Sequence, residues 1–220
     1  MAINVDIAGT NITVSQMSEF FRLSALPGGH VNRATFQAYL ERGNPFAFEH
    51  NKHGHVVLTF TGLDLTGAQE VERLESGSYR ASNYAKSCFL STQGDSYDLH
   101  HHLVACQTYK VALMPGREIE SNSDRTTEAL RRRGVEHYGY SKPRAGLVPR
   151  IRETLSDKQM EELGILYVAT LHDPIVGLDG DPGVLGAGRN DGGRWVNANW
   201  DSSDSRWIDG GAFAFPVLAS

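Results

Sequence analysis

Trp195, Trp200 and Trp207 are the only tryptophans of the chain, and they share one window with Asn190, Asp191, Gly192, Gly193, Asn197, Asn199, Asp201, Ser202, Ser203, Asp204, Ser205, Asp209, Gly210 and Gly211. The chemistry of such a set is recognition rather than bond making. Tryptophan supplies rigid contact area at low entropic cost, while Asn, Ser and Gly adapt their hydrogen bonding to a partner. The same residue types also do plain structural work, since Trp packs cores and Gly, Asn and Asp form turns. The first expectation is therefore a non-enzymatic ligand-binding surface whose partner is a protein or a glycan.

Two rival chemistries lie upstream. Arg131, Arg132, Arg133, Lys142, Arg144, Arg150 and Arg152 stand against the single acid Glu136, with His137, Tyr138 and Tyr140 interleaved. Such a segment can neutralise phosphates while its tyrosines stack on bases, which makes nucleic acid or another polyanion the alternative partner. Acids flank it on both sides, Glu118, Glu120, Asp124 and Glu128 before and Glu153, Asp157, Glu161 and Glu162 after, as on an ordinary solvated face.

The other rival is a metal-dependent enzyme built on histidine, the commonest metal ligand among side chains. His100, His101 and His102 are consecutive, and His50, His53 and His55 precede them. On a strand, alternate residues share a face, so only His100 with His102, and His53 with His55, would converge. Neither an HExxH pattern nor a glycine-rich phosphate loop accompanies them, and the expectation is no metal and no cofactor. Cys106 beside His102 is a weak candidate for a thiol nucleophile, because nearness in sequence does not bring a base to a thiol. Cys88 and Cys106 match neither a disulfide framework nor a CxxC site, and both read as packed thiols. Asp179 and Asp181 with Asn190 and Asp191 offer the oxygen ligands that calcium prefers but lack EF-hand spacing, and Asp-Gly and Asp-Pro-Gly are turn chemistry.

The elements that must hold these residues follow from periodicity. Ile3, Val5 and Ile7, then Ile12 and Val14, alternate around Ala8-Gly9-Thr10-Asn11 as a β-hairpin. Two short helices are expected next, over 15–24 and 32–43; their linker is too long, and the second helix too poor in basic residues, for a DNA-binding helix-turn-helix. His55 to Phe60 reads as a strand, and Thr66 with Gln69 as a capping box opening a helix through Leu74 to Gly77. Residues 97–119 read as strand-like, with Leu99, Leu103, Val104, Val111, Leu113 and Ile119 buried. Residues 125–133 read as helical. Leu147, Ile151 and Leu155 give the next helix its buried stripe, and Pro149 is tolerated in the first turn. Ser156 to Gln159 is a second capping box, and uncharged Ile165 to Leu171 a buried strand. Strands over 184–188, 195–200 and 212–217, separated by turns, close the chain.

These elements make an α+β protein with segregated helices and a mixed, mainly antiparallel sheet. Residues 1–50 would hold the hairpin and two short helices, and residues 51–220 an α+β domain with the Trp- and Asn-rich hairpin at its end. The chain's 220 residues suffice for a sizeable core without covalent staples. A formal charge of −5 argues against a wholly basic nucleic-acid binder. No stretch approaches the length of a membrane span, and the N-terminus alternates instead of presenting a basic end and an apolar run. A soluble, cytoplasmic protein without a membrane partner is expected.

Gly192-Gly193-Arg194-Trp195, then the Asn/Asp/Ser stretch, then Gly210-Gly211-Ala212-Phe213-Ala214-Phe215-Pro216-Val217 resembles the terminal segment of C-type-lectin-like domains related to formylglycine-generating enzymes, which serve as the variable proteins of diversity-generating retroelements. The resemblance implies a rigid framework that displays mutable residues, here Trp195, Asn197, Asn199, Trp200, Arg206 and Trp207. It covers about 35 residues; the first 160 do not align, and the paired cysteines of the lectin branch are missing. Asn32 to Phe48, with Phe36, Leu40 and Asn44-Pro45, is similar to bacterial hypothetical proteins and implies no function.

Overall fold

The computed structural model describes residues 5–7, 10–12, 48–190 and 192–217. The chain divides into two units, Met1–Ala47 and Phe48–Ser220. In the first, strands β1 (Val5–Ile7) and β2 (Thr10–Ile12) pair antiparallel with Ile7 opposite Thr10. The hairpin is tighter than the alternation suggested, because Thr10 and Asn11 join the second strand instead of the turn. The helices expected over 15–24 and 32–43 lie outside the described residues, and the helix-turn-helix reading with them.

The second unit carries β3 (Glu49–His50), β4 (Val56–Thr61), β5 (Arg80–Ala81), β6 (Thr108–Pro115), β7 (Tyr167–Ala169), β8 (Ile175–Val176), β9 (Pro182–Asn190), β10 (Gly193–Trp200) and β11 (Gly211–Pro216). They form one open sheet in the order β3-β4-β6-β11-β7-β9-β10-β5, with β8 paired to β9. Neighbours run antiparallel except for the β11–β7 and β10–β5 pairs. Six short α-helices accompany it: α1 (Gly67–Ser76), α2 (Asn83–Phe89), α3 (Tyr97–His100), α4 (Thr127–Arg132), α5 (Leu147–Thr154) and α6 (Asp157–Glu162). The class is α+β with a mostly antiparallel sheet, as the periodicity predicts. Among the described residues no helix is long and apolar enough to cross a membrane.

Local chemistry sets the helix ends. Thr66 and Ser156 each accept a hydrogen bond from the backbone N–H of the glutamine three residues on, and that glutamine's side chain accepts one from the capping residue's N–H. Gly164, at φ +66, closes α6 in the left-handed conformation that glycine adopts without strain. Leu147, Ile151 and Leu155 are all buried along α5.

The stretch 97–119 departs from its strand reading. Tyr97–His100 is helical and only Thr108–Pro115 is strand, so Leu99 and Val104 are exposed while Leu103, Val111, Leu113 and Ile119 are buried. The Ser96 carbonyl accepts from the N–H groups of Leu99 and His100, and with the burial of Tyr97 this favours the helical turn over the alternating pattern. Cys106, read as packed, is exposed at φ 61, whereas Cys88 is buried in the core.

Alternation divides the core into two layers. On one face, Val111 and Leu113 of β6, Val168 of β7, Leu185 and Ala187 of β9, Val196 of β10 and Ala212 and Ala214 of β11 pack on residues of α1, α2, α3, α5 and α6. On the other, Ala112, Met114, Ala169, Phe213 and Phe215 pack on Leu130 of α4, Ile119, Tyr140 and Leu171. The first layer runs out to β10; the second stops at β7.

Candidate functional site

Where the second layer stops, the sheet is left open. The register places Trp195 opposite Gly188, Asn197 opposite Gly186, and Tyr167 on the other side of Gly188. Because side chains alternate, Trp195, Asn197 and Asn199 project on the side opposite buried Val196. Gly186 and Gly188 lie between them and β7 and keep the floor low. A Cβ on Gly186 would stand 3.2 Å from the Val168 carbonyl oxygen, and one on Gly188 would stand 3.6 Å from the Asn197 amide nitrogen. The result is a trough of about 230 Å³ lined by Leu166, Tyr167, Gly186, Gly188, Trp195, Asn197 and Asn199, with Ala187 and Arg189 contributing.

Asn190 pairs with Gly193 at the closed end of the β9–β10 hairpin, where the intervening sequence is Asp-Gly, the pair favoured in two-residue turns. Parallel pairing fixes Trp195 and Val196 against Arg80 and Ala81, and Ser82 N–H donates to the Val196 carbonyl at 3.0 Å. The strand carrying the trough's wall is thus held from both sides at its centre.

The amides of the trough are unspent. Among the described residues, no protein group hydrogen-bonds the side-chain amides of Asn197 and Asn199, and the indole Nε1 of half-buried Trp195 has no acceptor. The Arg80 guanidinium lies 5.5 Å from the Trp195 ring centroid, a cation–π contact that steadies the indole. Two amides, each donating and accepting, beside the rings of Trp195 and Tyr167, suit a ligand with hydroxyl or amide groups; the indole Nε1 itself is buried. Tyr167 is itself fixed, because its hydroxyl donates to the Ile208 carbonyl at 3.1 Å.

The other tryptophan-window residues go elsewhere. Trp200 lies five positions from Trp195 and takes the opposite face, as alternation requires, but beyond the core, where it is 64% exposed. Trp207 is an anchor rather than a displayed residue. Its Nε1 donates to the Thr127 hydroxyl at 3.1 Å, and its ring packs on Tyr167 and Phe213, fastening the 201–210 loop to the start of α4. The guanidinium of exposed Arg206 turns back to the carbonyls of Ser203 and Ser205.

The basic segment does not present one face. Arg131 donates to the carbonyls of Leu171 and His172, Arg133 pairs with Glu118, Lys142 with Asp173, and Arg144 reaches the His102 carbonyl. Arg150 and Arg152 are buried, the first paired with Glu70 and Glu153 and the second with Asp157. Neither can meet a phosphate. Arg132 alone of the seven is exposed without such a tie among the described residues.

The histidines are also dispersed. His100 Nε2 bonds the Gly94 carbonyl from the end of a helix and His102 Nδ1 bonds Asp64 from the loop that follows, so the two do not share a strand face. His101 is buried edge-on to His172, ring centroids 5.0 Å apart. Burial, chiefly, depresses both, to about 4 for His101 and about 3 for His172. The geometry agrees for His172: its Nε2 accepts from Leu185 N–H, so the proton sits on Nδ1 facing the Asp173 carbonyl. His50 is exposed. Among the described residues no three His, Cys, Asp or Glu side chains are grouped to hold a metal ion.

His53 and His55 do converge, on tyrosines. His55 Nε2 meets Glu118 at 3.0 Å and its Nδ1 the Tyr140 hydroxyl at 2.7 Å; Asn51 donates to that hydroxyl, and Tyr138 donates to Glu118. Burial alone would raise Glu118, but the bonds from His55 and Tyr138 and the charge of Arg133 outweigh it and hold the carboxyl below its ordinary range. A Glu–His–Tyr chain can relay protons. Here the Tyr140 side chain is buried and its hydroxyl engaged as donor and acceptor, so the chain ties β4 to residues 138–140. Sequence reasoning missed this network, whose members are 85 and 63 residues apart. It also missed Tyr167, Gly186 and Gly188, although glycines alternating with Leu185 and Ala187 are a legible sign of a bare strand face. Asp191 of the calcium reading lies outside the described residues.

Comparison of the chain with protein-family models, with characterised proteins and with solved structures finds no match.

Proposed function

We propose that this chain is a non-enzymatic ligand-binding protein that displays Trp195, Asn197 and Asn199 over the glycine-floored trough of β7, β9 and β10 to a protein or glycan partner. One observation carries the reading: two amides with unspent hydrogen-bonding capacity and one indole ring alternate along one strand with residues anchored in the core. Such a strand changes its outward chemistry without losing its place, since Val196 and the backbone ladders hold it. That separation of display from anchorage is what a variable protein requires, and it supports the C-type-lectin-like resemblance at the functional level. Binding rather than catalysis is further favoured by the lining, where indole, amides and bare backbone bring no nucleophile paired with a base.

The test is a pair of libraries. Randomising 195, 197 and 199 together is expected to leave most members folded, with changes at exposed Asn199 costing no more than about 0.5 kcal/mol and those at partly buried Trp195 and Asn197 about 1 kcal/mol. It is also expected to yield binders to unrelated protein or glycan targets. Randomising 185, 187 and 196 is expected to unfold most members. Equal loss of folding in the two libraries would end the display reading. In the surrounding DNA, a reverse transcriptase gene beside a near-copy of the region encoding 185–217 would tie the display to diversification.

A further inference from the structure

The opposite face of the same hairpin holds a second cavity, of about 250 Å³, between α2 and the ends of β9 and β10. Its walls include Tyr84 and Trp200, its rim Asp179 and Asp181, and its floor Gly183 and Cys88. Tyr84 is 65% exposed and Trp200 64%, so two large aromatic side chains stand in water beside one small cavity. Neither is held there by the core. Exposed aromatics around a concave site point to an occupant that the rings themselves bind.

The frame of the cavity is fixed. Tyr84, Ser87 and Cys88 are three and four positions apart and share one side of α2. Asp179 N–H donates to the Ser87 hydroxyl at 3.3 Å, and Asp181 N–H to an Asp179 carboxylate oxygen at 3.3 Å, which sets the acidic loop against the helix. Gly183 must be glycine here, since a Cβ would lie 2.6 Å from the Cys88 sulfur.

Its charge is one-sided. No lysine or arginine lines the cavity, and among the described residues neither Asp179 nor Asp181 forms an ion pair; Lys86, on the same helix, pairs with Glu75. The Cys88 thiol is pushed up to about 12, by burial first and then by Asp179 and Asp95, so it stays neutral and leaves the two aspartates as the charges of the cavity.

We propose that this cavity binds an alkylated ammonium head group, with Tyr84 and Trp200 as its aromatic walls and Asp179 and Asp181 as its counter-charges. A cation over aromatic faces is attracted by the ring quadrupoles, and the attraction strengthens as water is excluded. Methyl groups on the nitrogen match the rings, and uncompensated carboxylates match the charge. A bare metal ion would use the carboxylates and leave both rings idle. The site is independent of the display trough, with which it shares only Asn199 at the rim.

The experiment titrates the folded chain with choline and follows its three tryptophan indole N–H resonances, assigned by single Trp→Phe variants. The Trp200 resonance is expected to move, while those of Trp195 and Trp207 stay. The neutral isostere 3,3-dimethylbutan-1-ol should bind at least about fivefold more weakly, and Trp200→Ala or Tyr84→Ala should weaken choline to a similar extent. Asp181→Asn should weaken choline but not the isostere, whereas Trp195→Ala should change neither. A trimethyllysine peptide binding more tightly than choline would place the head group on a protein, and the reverse order on a free small molecule; both retain the site. Isostere and choline binding equally, calcium moving the Trp200 resonance where choline does not, or a still Trp200 resonance would each overturn the proposal. Because Trp195→Ala removes the trough's indole alone, failure of one site is distinguishable from failure of the other.

Discussion

Replacing His101 by Phe should make the protein less sensitive to acid, and the size of the effect follows from where the proton cannot go. His101 is 5% exposed and lies edge-on to fully buried His172. Burial depresses its pKa from 6.5 to about 4. Unfolded, the imidazole titrates near 6.5, so between that value and about 4 the unfolded chain binds a proton that the folded chain refuses. The contribution is therefore intact above pH 6.5 and lost as pH falls toward 4. The slope is about 1.4 kcal/mol per pH unit, or about 2 kcal/mol by pH 5. Glu70 acts in the opposite sense: burial, outweighing Arg150, raises it to about 7, so its folded form takes up a proton as the pH falls from neutral. Absolute stability thus mixes the two, but the difference between wild type and His101→Phe cancels Glu70. Phe keeps the ring contact and gives up only a 3.4 Å bond from Ala145 N–H. Urea unfolding of both proteins at pH 7 and pH 5 should show the variant gaining about 2 kcal/mol on wild type over that interval. An unchanged difference between the two pH values would refute the account of a buried neutral histidine.

Trp207→Ala should destabilise by about 3 kcal/mol, because it empties the space between Tyr167 and Phe213 and strands the Thr127 hydroxyl, whereas Trp200→Ala should stay within about 0.5 kcal/mol; thermal melts of the two variants decide it. Arg150→Met should cost up to about 3–5 kcal/mol at pH 8, where wild-type Glu70 is charged and paired and the variant must fold with Glu70 either unpaired or protonated against the pH, and distinctly less at pH 5, where Glu70 carries a proton in both proteins; equal losses in urea at both values would contradict the ion-pair argument.

Much that is local was legible in the chain itself. The capping boxes at Thr66 and Ser156, the stripe of Leu147, Ile151 and Leu155, and the opposed directions of Trp195 and Trp200 each depend on neighbours within a turn or on strand alternation, so residue order suffices to determine them. The α+β class follows from the same periods. Tertiary structure decided what each surface faces. Arg150 reads as part of a basic run until Glu70, 80 residues away, meets it in the core. Trp207 reads as a display residue until the hydroxyl of Thr127, also 80 residues away, accepts its indole hydrogen bond. The trough exists because the second layer packs over β6, β11 and β7 and leaves Gly186, Gly188 and Asn197 uncovered. Periodicity tells which residues share a face; only long-range packing determines whether a face is buried, paired or open to a ligand, because burial depends on segments that meet in space without being near in sequence.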